Sequence, residues 1–156
     1  MDKSLLLYND LIQESWHSGD LYFKLLSHQI KLYDQIKNSN SIKHVINCTR
    51  RFGKSYILCL LAIEEALKKN NSLIRFAAPT QKQLKEIIQP IMQEILKDCP
   101  EGLKPTFKVQ DSKYVFPNGS EIHIAGCDNG NAENLRGHRS DLNLIDEAGS
   151  ISDLEY

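Results

Sequence analysis

The run His44-Val45-Ile46-Asn47-Cys48-Thr49-Arg50-Arg51-Phe52-Gly53-Lys54-Ser55, followed by an apolar stretch over 56–61, decides how the chain is read. It has the form of a buried strand, a tight loop and the first turns of a helix. Gly53-Lys54-Ser55 ends the phosphate-loop pattern G-x-x-x-x-G-K-[ST]. Gly53 has no Cβ, so the backbone can come close to a phosphate. The loop amides and the helix dipole attract the anion. Lys54 carries a mobile positive charge to the β/γ-phosphates, and the Ser55 hydroxyl can ligate Mg²⁺. ATP and Mg²⁺ are therefore the expected ligands, held by Thr49, Arg50, Arg51, Phe52, Gly53, Lys54 and Ser55. One position departs from the pattern: Cys48 stands where the first glycine belongs. The two loop arginines are informative, because a guanidinium supplied in cis can stabilise charge developing on a γ-phosphate.

At 156 residues the chain is one ordinary domain with room for a proper core. A net charge of −1 gives no global field toward nucleic acid or membrane, so such binding must rest on local patches. No apolar run approaches the ~20 residues of a membrane span, and residues 1–4 begin no secretory signal. The four cysteines are scattered without a C-x-x-C pair, which points away from a disulfide framework or zinc site and toward a reducing cytosol.

Residues 5–16 carry apolar positions at helical spacing, and Ser18-Gly19-Asp20 breaks that helix. A second helix is expected over 27–37 with Ser27 as its cap. Just inside it stands Gln29, whose amide offers the donor and acceptor an adenine edge requires. A first strand is expected over 43–47, then a helix over 54–69, apolar on nearly all sides until Glu64 and so packed between a sheet and another element. A strand over 73–78 follows. Thr80 is placed to cap a helix reaching 96, which Pro90 should kink. Short strands are expected at 106–109, 114–116 and 121–125, with Pro117-Asn118-Gly119-Ser120 turning the last two into a hairpin. The polar segment 126–140 is too long for an idle connector.

The strand Asp141-Leu142-Asn143-Leu144-Ile145 runs into Asp146-Glu147. Asp146 at its C-terminal edge is suited to Mg²⁺, and Glu147 to orienting and deprotonating an attacking water. Strand C-termini are where α/β sheets place their sites. The expected fold class is α/β: a P-loop NTPase (RecA/ASCE-like) with a mainly parallel sheet flanked by helices and a β-hairpin insertion.

Thr49-Arg50-Arg51-Phe52-Gly53-Lys54-Ser55, Ala78-Pro79-Thr80, Asn134-Leu135-Arg136-Gly137 and Leu144-Ile145-Asp146-Glu147-Ala148 together resemble the ATPase part of the large terminase subunit. That subunit is the motor that packages DNA into tailed-phage and herpesvirus-type capsids, and the resemblance covers about 27–149. It implies that Gln29 reads adenine, Arg50 is the loop's cis arginine and Arg136 is a finger acting on a neighbouring subunit. It also implies double-stranded DNA, a portal protein and a small terminase subunit as partners, and a homo-oligomeric ring. The expected location is the host cytoplasm, transiently at the procapsid. By the same resemblance, 1–26 form a helical arm and 27–156 a partial ATPase domain. The resemblance implies that the rest of that domain and a nuclease domain are absent from these 156 residues, so the chain is expected to be weakly active or inactive alone. A helicase-like ATPase of superfamily 1 or 2, or a truncated non-catalytic P-loop module, are the alternatives.

Overall fold

The computed structural model describes residues 3–128 and 139–151. Five strands form one sheet in the order β2-β3-β4-β1-β5: β1 (Leu73–Ala78), β2 (Thr106–Lys108), β3 (Lys113–Val115), β4 (Glu121–Gly126) and β5 (Leu142–Ile145). β1 pairs in parallel with β4 and β5, whereas β2–β3 and β3–β4 are antiparallel. The sheet is thus mixed rather than mainly parallel, because the expected hairpin is built into the sheet itself. Its turn closes through Phe116 N–H to the Ser120 carbonyl (2.8 Å) and Gly119 N–H to the Phe116 carbonyl (3.0 Å).

Register places Ile74 and Phe76 beside Ile122 and Ile124 on one side, and beside Leu142 and Leu144 on the other. This apolar face takes α3 (Lys54–Lys68), which also packs against α1 (Lys3–Ser18) and α5 (Gln89–Ile95). Covered on both sides, α3 buries Ile57, Leu60 and Ile63 completely. Each such side chain contributes about 1.5–3 kcal/mol. α1 gives the core only its C-terminal end, through Ile12 and Trp16; Leu5, Leu7, Tyr8 and Leu11 are exposed.

Glu64, which looked like the start of a polar face, is completely buried. Its carboxylate accepts from Leu21 N–H (2.8 Å) and from the Tyr33 hydroxyl (2.8 Å), and Lys37 Nζ lies 2.9 Å away. Burial, with this acceptor second, pushes the Tyr33 phenol far up. The cluster fastens α2 (Ser27–Lys37) and the chain before it onto α3. Leu26, not Ser27, is the N-cap of α2.

Thr80 caps α4 (Gln81–Gln83) as expected, accepting from Gln83 N–H at 3.1 Å. A π-turn over Leu84–Ile88 then joins α4 to α5, with Gln89 N–H bonded to the Leu84 carbonyl five residues back. Pro90 supplies no N–H and its ring crowds the carbonyl four residues earlier, and a wider turn accommodates both.

The strand expected over 43–47 does not form. Ile42 and Val45 are 99% and 98% exposed, and only Ile46 packs against the core. Strand stability comes from a ladder and a packed face more than from propensity. Among the described residues β5 is paired only with β1, so this segment has no backbone partner.

Candidate active site

The phosphate-loop sequence lies between α2 and α3, and its shape depends on two left-handed residues. Gly53 (φ 87°, ψ 33°) is the N-cap of α3, and Arg51 (φ 64°) is one of four non-glycine residues with positive φ among those described. Phe52 N–H closes a turn onto the Thr49 carbonyl at 3.4 Å. Thr49, Arg50 and Arg51 are exposed, and their side chains make no hydrogen bond among the described residues.

α2 holds the loop from behind. His28 Nε2–H donates to the Phe52 carbonyl (3.0 Å), and the two rings meet edge-on at 5.2 Å. Gln29 is 2% exposed. Its Oε1 accepts from Leu26 N–H (2.9 Å), and its Nε2 donates to the Gly53 carbonyl (3.4 Å). Both ends of the amide expected to face an adenine are therefore engaged inside the protein. A Cβ on Gly53 would stand 2.4 Å from Gln29 Nε2, so a larger residue would displace that amide besides having to adopt the left-handed backbone.

Lys54 is half-buried; its Nζ donates to the Cys48 carbonyl at 3.2 Å and makes no ion pair among the described residues. The position that departs from the glycine pattern thus contributes through its backbone. In the first turn of α3, the Ser55 hydroxyl donates to Asp146 Oδ2 at 2.5 Å, joining residues 91 apart in sequence. Asp146 is 6% exposed and is positioned by its own N–H, which donates to the Ala77 carbonyl of β1 at 2.9 Å. Burial, with the Asp146 charge adding to it, pushes the Cys59 thiol on α3 far up, so that cysteine is an inert core group.

Glu147 follows in the left-handed region (φ 52°, ψ 41°) with an exposed side chain. Non-glycine residues held there store strain, and such strain concentrates at functional sites. Arg51 and Glu147 place it on both halves of this one. Across β1 from β5, the chain just past β4 meets the start of α4: Asp128 Oδ1 accepts from Gln81 N–H at 3.2 Å.

The donor set fits a nucleotide-bound Mg²⁺. No group of three or more His, Cys, Asp or Glu among the described residues forms a metal cage. A hydroxyl and a carboxylate side by side are the sparse oxygen set with which proteins hold Mg²⁺ against phosphates. The structure therefore brings together Gln29, Gly53, Lys54, Ser55 and Asp146 out of the sequence-predicted set. Arg136, with the motif Asn134-Leu135-Arg136-Gly137 and most of the polar 126–140 segment, lies outside the described residues. Sequence reasoning missed His28 as a support for the loop; its place one residue before Gln29 was the only signal.

A family model described as "Terminase large subunit, T4likevirus-type, N-terminal" matches residues 45–154. That span takes in the loop, the acidic strand end and the sheet between them. The comparison with curated proteins gave no match.

Proposed function

The chain belongs to the T4-like family of large terminase subunits, matched through the family's N-terminal part, and on that premise we propose that it binds Mg²⁺-ATP at the 48–55 loop and hydrolyses it to drive double-stranded DNA into a capsid. The observation that carries this reading is the 2.5 Å contact between Ser55 Oγ and Asp146 Oδ2. It brings the phosphate-loop hydroxyl and the acidic strand end to one point. Mg²⁺-ATP bound there supplies a polarised γ-phosphate that water can attack.

The protein's own part is position and charge. Ser55 and Asp146 hold the cation. The Lys54 ammonium exchanges the Cys48 carbonyl for phosphate oxygens, and the loop amides from Thr49 to Phe52 surround the anion. Arg50 offers a guanidinium in cis, and Glu147 orients the attacking water and takes its proton. Gln29 holds the Gly53 carbonyl; it reaches an adenine edge only if its amide leaves that bond. Arg136 acts as the finger toward a neighbouring subunit of a ring, and a portal protein and a small terminase subunit complete the motor at the procapsid.

Titration of the purified chain with a fluorescent ATP analogue and Mg²⁺ tests this. Lys54→Ala should remove binding, and wild-type affinity in that variant would overturn the assignment of the loop.

A further inference from the structure

A cleft of about 340 Å³ lies between α5 and the β2–β3 ribbon, formed by residues that take no part in the phosphate loop. Gln89 and Gln93 reach it from successive turns of α5, and Lys97 from the 3-10 turn that follows it (Leu96–Asp98). Lys104 flanks the other side, paired at 3.5 Å with the exposed Glu101. Lys97 has no ion pair among the described residues. The floor is aromatic: the Phe107 and Tyr114 rings are 4.7 Å apart.

Tyr114 is 5% exposed, yet its hydroxyl makes no hydrogen bond among the described residues. Burial pushes its phenol up to about 12, so at neutral pH it stays a neutral donor.

These groups have complementary uses. Aromatic faces stack planar rings whatever their sequence. Glutamine amides present a donor and an acceptor to a base edge. Lysines meet phosphate. The volume is near the lower end of the ~300–1,000 Å³ range of ligand sites, which suits a single small unit. We propose that this cleft binds one base–phosphate unit of an unpaired nucleic-acid strand, with the base against the half-buried Phe107 and the phosphate between Lys97 and Lys104. A free nucleotide offers the same chemistry, so the experiment separates the two sources. The proposal does not depend on ATP binding at the 48–55 loop.

The test is fluorescence anisotropy of a labelled oligothymidylate with the purified chain at low salt, without Mg²⁺ or ATP. Gln93 and Lys97 are exposed, so Gln93→Ala and Lys97→Glu leave the core intact, which a thermal melt checks. Lys97→Glu should weaken binding at least about fivefold and reduce the slope of log affinity against log salt by roughly 0.7, one phosphate contact on a single strand. Gln93→Ala should weaken it about two- to threefold, and an abasic strand of equal length should bind several-fold more weakly than the oligothymidylate. Displacement by thymidine monophosphate would identify a free nucleotide as the occupant, and its failure to compete would identify the strand. Unchanged affinity in both variants, equal binding of the abasic strand, or no binding of either thymidine probe by the wild type would overturn the proposal.

Discussion

Gly53→Ala is the sharpest probe of how the candidate site is supported. At φ 87° the new residue would sit in the left-handed region, which disfavours a side chain by about 1–2 kcal/mol. Its Cβ would also stand 2.4 Å from Gln29 Nε2. That atom ends a flexible side chain, so the amide can swing away, but it then gives up its bonds to Leu26 and Gly53. At about 0.5–1.5 kcal/mol per bond, the substitution should destabilise the chain by roughly 2–5 kcal/mol. For a domain of this size that lowers the melting temperature by about 4–20 °C. Urea denaturation followed by circular dichroism measures the loss directly. A double-mutant cycle separates its two parts. Gln29→Ala alone loses the same two bonds, about 1–3 kcal/mol. In that background Gly53→Ala should cost only the dihedral strain, so the double variant should be more stable than the sum by the two shared bonds, about 1–3 kcal/mol. Additivity within about 0.5 kcal/mol, or a single-variant loss below about 1 kcal/mol, would refute the claim that Gln29 is packed onto the loop.

Three further outcomes are expected. Glu147→Gln should keep Mg²⁺-dependent binding of an ATP analogue while removing turnover, whereas Asp146→Asn should weaken the Mg²⁺ dependence itself; equal effects on affinity would sink this division of roles. Glu64→Ala should lose about 3–5 kcal/mol in urea denaturation, because it strands the Leu21 N–H and the Tyr33 hydroxyl inside the protein. Tyr33→Phe should lose about 1.5–3 kcal/mol, the range for a bond to a charged group, and a loss under 1 kcal/mol in both variants would show that the cluster holds nothing. On the other side of the sheet, the hydrogen bond from His123, with Lys113 beside it, holds the Glu121 carboxyl below its ordinary value. A carboxylate lowered in the folded state stabilises fully above its unfolded value of about 4.3, and that stability is lost as pH falls through the lower folded value. Glu121→Gln should therefore flatten the acid limb of a stability–pH curve below about pH 4.3, and a limb unchanged in shape would count against the cluster.

Much of this protein is decided by local chemistry, and that part was legible. The 73–78 strand, the 54–68 helix, the Thr80 cap and the Pro117–Ser120 turn all follow from periodicity and from residues with strong backbone preferences. Gly53-Lys54-Ser55 and Asp146-Glu147 marked the candidate site in the sequence, because few residue types suit phosphate and Mg²⁺, and the Ser55–Asp146 contact joins the two stretches in the fold. What stayed hidden depends on partners distant in the chain. His44-Val45-Ile46-Asn47 has the composition of a strand, but a ladder needs a neighbour, and none stands beside it among the described residues. Glu64 read as the start of a wet face until Leu21, Tyr33 and Lys37 converged on it. Gln29 offered an amide to any base, yet the close passage of α2 behind the loop gave that amide to Leu26 and Gly53. The sequence alone thus determined which chemical groups the chain carries and most of its local elements. Only the tertiary structure decided which of those groups are spent inside the protein, because a hydrogen bond across 24 or 91 residues leaves no periodic trace in the chain that makes it.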